Sequence, residues 1–171
     1  TATGGVISDY EDSGTYYRAH IFTSSGALNV TALGNLPANV EYLVVAGGGG
    51  GGTSGGGNAG GGGGAGGLRT NLTGHPLAGS SFPVSVSPYT VTVGAGGQGG
   101  SYTSSPLYVG ITGTPSVFGS ITSNGGGAGG GTGGGGDGGS GGGGGGATSY
   151  TGGSGNSPVA TSPAQGNAGG D

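Results

Sequence analysis

The sequence predicts an all-β protein with irregular structure: a small β-scaffold plus packed polyglycine II helices, with almost no α-helix. Three observations lead there. Glycine supplies 55 of the 171 residues, where about 7% is usual. Valine-rich stretches run straight into glycine runs three times, as VEYLVVAGGGGGG, YTVTVGAGGQGG and SVFGSITSNGGGAGG. No apolar stripe of helical period occurs, and each glycine costs a helix about 1 kcal/mol against alanine.

Residues 1–46 read as a β-rich lead-in. β-branched and aromatic runs predict strands over 16–22, 28–33 and 41–46. The Ser25-Gly26 step suits a tight turn, and 34–39 reads as a loop because Pro37 interrupts a ladder. Residues 47–171 form the glycine-rich region, read as one structural unit with 1–46. Its tracts are 47–67, 94–100 and 125–147. Between them, LRTNLTGHPLAGSS reads as loop, and FPVSVSPYTVTV at 82–93 alternates with period two, which predicts a strand or bent strand pair. Pro88 marks a turn, edge or bulge. YVGIT at 108–112 and SVFGSIT at 116–122 read as two short strands.

The first tract holds 16 glycines in 21 positions and the last 18 in 23. Flexible linker is the ordinary reading of such runs. Against it, the interruptions are small residues, without the Lys and Glu of solvated linkers. A collagen helix needs glycine at every third position with abundant proline; here glycines run consecutively and proline totals eight. Polyglycine II fits better. Its three-residue turn has no internal hydrogen bonds, so each N–H and C=O points sideways into a neighbour. A straight run of 21 residues would span about 65 Å. Folding back at Thr53-Ser54 and Asn58-Ala59 would make shorter parallel rods. The glycines expected to carry this structure include Gly47, Gly52, Gly60, Gly64, Gly94, Gly97, Gly125, Gly131, Gly141 and Gly146. Ordering glycine is entropically costly, so the rods need the valine-rich segments as scaffolding.

Formal net charge is −4, and Arg18 and Arg69 are the entire Lys and Arg complement. Two cations cannot make a basic face for phosphate backbones, so nucleic-acid binding is not expected. No apolar run reaches membrane-spanning length, so no membrane insertion is expected. The sequence has no cysteine, which excludes disulfides and thiolate metal sites. The absence of an initial methionine fits a processed product or a fragment of something longer.

No catalytic constellation emerges, and neither cofactor nor metal is expected. His20 reads as a surface or half-buried strand residue, and His75 as a loop residue. Asp9, Glu11 and Asp12 form a short acidic run, too few oxygens for Ca²⁺. Asp137, alone among glycines, reads as a turn marker bonded to nearby backbone. The sequons at Asn29 and Asn71 matter only in a glycosylating pathway. Eight tyrosines against three phenylalanines point to recognition or subunit contact, or equally to partial burial in the scaffold. Candidate receptor or subunit contacts are Tyr10, Tyr16, Tyr17, Tyr102, Tyr108 and Tyr150, with loops 68–81, 98–108 and 148–165 beside them.

Glu41–Ala46 running into Gly47–Gly52 resembles the opening signature of a glycine-rich domain of tailed-phage fibres. Tyr89–Gly97 and Ser116–Thr122 before Gly125 are similar to its second and third. His20–Thr23 with Ser25-Gly26 resembles the hairpin that leads in. Ser162–Asn167 also matches, with Ala164 where a proline or serine is common. The likeness covers nearly the whole chain in the family's order. It implies a virion or tail-fibre location, or an uncharacterised extracellular one. It also implies polyglycine II helices packed in layers, with loops at a tip binding host receptors. Family members usually continue past Gly169-Gly170, whereas this sequence stops at Asp171, which implies a missing piece or a shorter unit.

The resulting expectation is a non-enzymatic structural component of a phage fibre or virion, contributing to host receptor binding. The alternative is a secreted protein that assembles into an extracellular filament. Expected partners are further copies of the chain, other virion proteins, and a host surface protein or glycan.

Overall fold

A computed structural model describes residues 1–35, 37–53, 59–102, 108–146 and 150–171. Among these there is no α-helix; eleven short strands alternate with extended glycine segments. The strands are β1 (Ala2–Thr3), β2 (Val6–Asp12), β3 (Thr15–Ile21), β4 (Gly26–Val30), β5 (Asn39–Val40), β6 (Leu43–Val45), β7 (Leu68–Thr70), β8 (Phe82–Pro83), β9 (Pro88–Thr92), β10 (Ser116–Phe118) and β11 (Ile121–Ser123). The largest sheet has five strands in the order β1-β4-β9-β10-β11; β2-β3, β5-β8 and β6-β7 are two-stranded.

The core belongs to this scaffold. Leu28, Val30, Val44, Val91, Phe118 and Ile121 are buried together, with Phe22, Tyr42, Phe82, Tyr89 and Val93 packed against them. Phe82 bridges Phe118 and Tyr89, at ring-centroid distances of 4.9 and 5.7 Å. The Ser85 hydroxyl, 3.2 Å from the Tyr89 hydroxyl, and Ser85 N, which donates to it at 2.7 Å, together lower the phenol's pKa. Residues 82–93 are thus the bent pair that the alternation predicts, with β8 and β9 on either side of the bend. Residues 116–123 are a hairpin, tightly turned at Gly119, where φ is +56°.

The glycine segments are rods of three-residue period. The clearest runs over 139–146. Ser140, Gly143 and Gly146 donate to Ala65, Gly62 and Ala59; Gly141 and Gly144 donate to Asn167 and Gly170; Gly142 and Gly145 donate to Gly136 and Gly133. Successive N–H groups thus visit three neighbours in rotation, as polyglycine II requires. Nine extended segments make up the array among the described residues, the outer ones with neighbours on fewer sides, and we number them rods 1–9: 46–53, 59–67, 94–100, 110–114, 124–131, 133–137, 139–146, 151–155 and 166–170. A rod of eight residues is about 25 Å long. Rod 5 lies at the centre, bonded to rods 1, 2, 4, 6 and 7. Residues 123–131 are accordingly all buried.

Strand pairs set the register of the rods. The β6-β7 ladder pairs Val45 with Leu68, and the same two chains continue as Ala46 N to Gly67 O, Gly49 N to Gly64 O and Gly52 N to Gly61 O. The β9-β10 ladder continues as Thr114 N to Ala95 O and Ile111 N to Gln98 O. The β10-β11 hairpin continues as Gly113 N to Gly126 O and Gly110 N to Gly129 O. In each case a side-chain-anchored ladder fixes the register of two rods. That offsets part of an entropic cost the rods could not meet alone.

Three sequence expectations change. Rods 1 and 2 run antiparallel rather than parallel, because the chain reverses between them; the reversal itself, at 54–58, lies outside the described residues. Residues 108–112 are not a strand. Gly110 and Gly113 are three apart, and a Cβ at either would stand under 3.0 Å from Gly50 or Gly47 backbone, so this segment joins the array as rod 4. The sequence predicts no strand at β1, β2, β5 or β7: Asp9, Glu11 and Asp12 read as a short acidic run, 34–39 as a loop, and Leu68–Thr70 opens a stretch of loop composition.

Candidate functional site

The rod register fixes two ends of the molecule. At one end, residues 46, 67, 94, 114 and 124 join the β-scaffold. At the other lie Thr53, Ala59, Gly100, Tyr108, Gly131, Gly133 and Gly146, since Thr53 N bonds Tyr108 O, Gly146 N bonds Ala59 O and Gly145 N bonds Gly133 O. Rod 8 starts at this far end too, because Gly135 N bonds Thr151 O while Gly138 N bonds Ser154 O. Tyr102 and Tyr108, which flank one loop, and Tyr150, about forty residues further along the sequence, therefore belong to one tip. Tyr102 is 71% exposed; Tyr108 and Tyr150 are half-buried at the starts of rods 4 and 8. Parts of the predicted contact loops, 103–107 and 148–149, lie outside the described residues.

Tyr10, Tyr16 and Tyr17 are elsewhere, on the β2-β3 ribbon. Seven residue pairs join these strands, from Val6↔Ile21 to Asp12↔Thr15, closed by Ser13-Gly14 with φ of 52° and 81°. Tyr10 and Tyr17 face each other with rings stacked at 5.2 Å and 14°. Tyr16, opposite Glu11, is 84% exposed. Arg18 Nε and Nη2 donate to the two Asp9 oxygens at 2.7 and 2.8 Å. This pairing lowers the Asp9 pKa and raises that of Arg18.

A depressed carboxylate pKa stabilises the folded state above the unfolded value, and the contribution disappears as pH falls through the folded one. Amide protection across Asp9 and Arg18 is therefore expected to weaken on acidification below the usual aspartate range, and the Asp9→Asn ribbon to show no such step. Hydrogen exchange against pH measures both.

The remaining sequence candidates have structural partners. His20 is half-buried on β3 with Nδ1 2.7 Å from Gly4 O. His75 Nδ1 accepts from Leu77 N. Asp137 sits where rod 6 turns into rod 7, and it accepts from Ser154 N at 2.7 Å, a more distant partner than a local turn would give. No His/Cys/Asp/Glu group among the described residues could hold a metal ion. No helix among the described residues is long and apolar enough to cross a membrane.

The ten glycines named from the sequence share one property: a Cβ on any of them would stand under 3.0 Å from another segment. At Gly47, Gly52, Gly60, Gly64, Gly94, Gly97, Gly125, Gly131 and Gly141 the obstacle is a backbone carbonyl; at Gly146 it is the Ala59 backbone nitrogen at 2.7 Å. Gly62, by contrast, meets nothing within 4 Å, and Gly51 nothing closer than 3.6 Å. On rod 2, Ala59, Gly62 and Ala65 are spaced by three, and the two alanines fall on the open side.

A junction under the rods escaped the sequence reading. Gln165 (2% exposed) and Asn124 (5%) are buried where rod 5 leaves β11. Gln165 Oε1 accepts from Asn124 N at 2.7 Å, and Gln165 Nε2 donates to Val159 O at 3.3 Å. Asn124 Nδ2 donates to Ser157 O and Val159 O. Ser123, fully buried, donates to Gly67 O. The signal available beforehand was Gln165 itself, a long amide among small residues.

This geometry is that of a glycine-rich packing domain, and the family model described as a glycine-rich domain matches residues 23–171. The chain belongs to that family. No curated protein and no solved structure matches it. The family match begins after the β2-β3 ribbon, which thus lies outside the matched residues.

Proposed function

We propose that this glycine-rich domain protein is a non-enzymatic structural component of a phage fibre or virion, whose rods hold a recognition tip away from the point of attachment. The observation that carries the reading is the register that gathers Tyr102, Tyr108 and Tyr150 at the end remote from the β-scaffold. Ordered rods are stiff spacers, and exposed tyrosine is a rigid, amphipathic contact for a host surface protein or glycan. Other virion proteins join the scaffold end, and the location is the virion or the extracellular space. Immunogold electron microscopy with antibodies to the chain tests this: gold on virion fibres is expected, and gold on free filaments alone overturns it. Tyr102→Ala should leave thermal stability unchanged while lowering adsorption of the purified protein to host cells.

A second reading, self-assembly into an extracellular filament, is favoured by the exposed ribbon. Both readings require the rods to be ordered. Amide exchange at Gly126, Gly127, Gly129 and Gly130 should be slowed by several orders of magnitude relative to a free peptide; random-coil rates there would remove the basis of both.

A further inference from the structure

The ribbon β2-β3 is amphipathic across its faces and polarised across its edges. Directly opposed residues share a face. One face therefore carries Val6, Ile21, Ser8, Ala19, Tyr10 and Tyr17, with Asp12 and Thr15 only at its turn end, and the other Ile7, His20, Asp9, Arg18, Glu11 and Tyr16. The apolar face has no cover: Val6 is 65% exposed, Tyr10 50% and Ile21 48%. Neither strand belongs to any other sheet, so both outer edges present unpaired backbone groups. An isolated two-stranded hairpin is marginal in water and gains stability from a third strand.

We propose that this ribbon joins copies of the chain head to tail, with β2 of one copy pairing against β3 of the next. The charge pattern selects the second copy and the direction. β2 carries Asp9, Glu11 and Asp12, whereas β3 carries Arg18 and His20 and no acid. Pairing β2 with β2 would set three carboxylates against three, and pairing β3 with β3 would set Arg18 against Arg18. Only the mixed edge is complementary. A heterologous edge leaves a free β2 and a free β3 at each end of the pair, so it adds further copies until a ring closes or a filament forms. In the repeating register the Tyr10–Tyr17 stack extends to Tyr10 of the next copy, and the apolar faces lie side by side along one surface. The inference rests on the structural reading above and supplies the partner for its filament form.

The sequence has no cysteine, which makes the test clean. Full-length Ser8→Cys protein is mixed with full-length Ala19→Cys protein under mild oxidation. The mixed disulfide is expected to exceed both homodimers by about tenfold, following the charge preference. Predominance of either homodimer overturns the head-to-tail assignment. No cross-link, with the wild type monomeric in sedimentation at high concentration, overturns self-association itself. Glu11→Lys combined with Asp12→Lys should raise the assembly threshold about tenfold without changing the thermal unfolding midpoint, because the ribbon lies outside the core. An unchanged threshold also overturns the proposal. Glycine-tract amide exchange, recorded on the same samples, stays slow whichever way the cross-link falls. Failure of the edge is thereby separated from failure of the scaffold.

Discussion

Gly127→Ala is expected to leave the chain unable to hold its rod array. Gly127 lies in the middle of rod 5, buried on all sides. Its N–H donates to Ser140 O and its carbonyl accepts from Gly64 N, both at 2.8 Å. A Cβ there would stand under 3.0 Å from Gly136 O and Gly142 N. These obstacles are backbone atoms of rods 6 and 7, each held by its own bonds, so no side chain can swing aside. Overpacking in an ordinary core costs about 1–3 kcal/mol because neighbours change rotamer. Here a rod must move, and the loss should exceed about 3 kcal/mol. Gly62→Ala is the control. It puts the same methyl on rod 2 where nothing lies within 4 Å, and should be neutral or stabilise by about 0.4–1 kcal/mol through the unfolded chain. Urea unfolding followed by tyrosine fluorescence compares them directly, since tryptophan is absent. Equal tolerance of the two substitutions would show that rod 5 is not packed as described.

That contrast also marks how far the sequence could be read. Composition and the small interrupting residues reveal that the tracts pack, and the spacing of Ala59 and Ala65 even marks the open side of rod 2. Strands that lead into glycine, such as Leu43–Val45 and Ser116–Phe118, are legible because β-branched and aromatic residues fit a pleated surface. The partners of each rod are not legible. Residues 125–147 look like one tract, but 124–146 form rods 5, 6 and 7, since consecutive glycines carry no mark of where a chain reverses beyond Thr132 and Asp137. Rod 4 reads as a strand because Tyr108, Val109 and Ile111 dominate its composition; only the three-residue spacing of Gly110 and Gly113 betrays it. The ribbon is half legible. The acids of β2 hide its alternation, and their meaning depends on Arg18 lying across the ladder. Tyr102 and Tyr108 share the short predicted loop 98–108 and are placed together by sequence, whereas only the rod register brings Tyr150 to the same end.

Gln165→Ala should be nearly as damaging as a blocked rod, for a different reason. Gln165 Oε1 is the acceptor for Asn124 N, the first amide of rod 5, in a site where Gln165 is 2% exposed. Removing it leaves a buried donor unpaired, at about 1–3 kcal/mol. It also opens a cavity in the junction that fixes rods 2, 5 and 9, so a total near 3 kcal/mol is expected. Gln165→Glu separates the two contributions. It fills the same space and keeps an acceptor for Asn124 N, but loses the donor to Val159 O and buries a carboxyl group. Burial raises that carboxyl's pKa in the folded state. Its stabilising share is therefore complete below the unfolded glutamate value, about 4.3, and is lost as pH rises toward the folded one. The glutamate variant should thus unfold at a higher temperature near pH 4 than near pH 8, relative to wild type at each pH, while the alanine variant shows the same deficit at both. A glutamate variant as stable as wild type at pH 8 would mean that water reaches the junction, and that rod 5 is anchored by its strands without the amide beneath it.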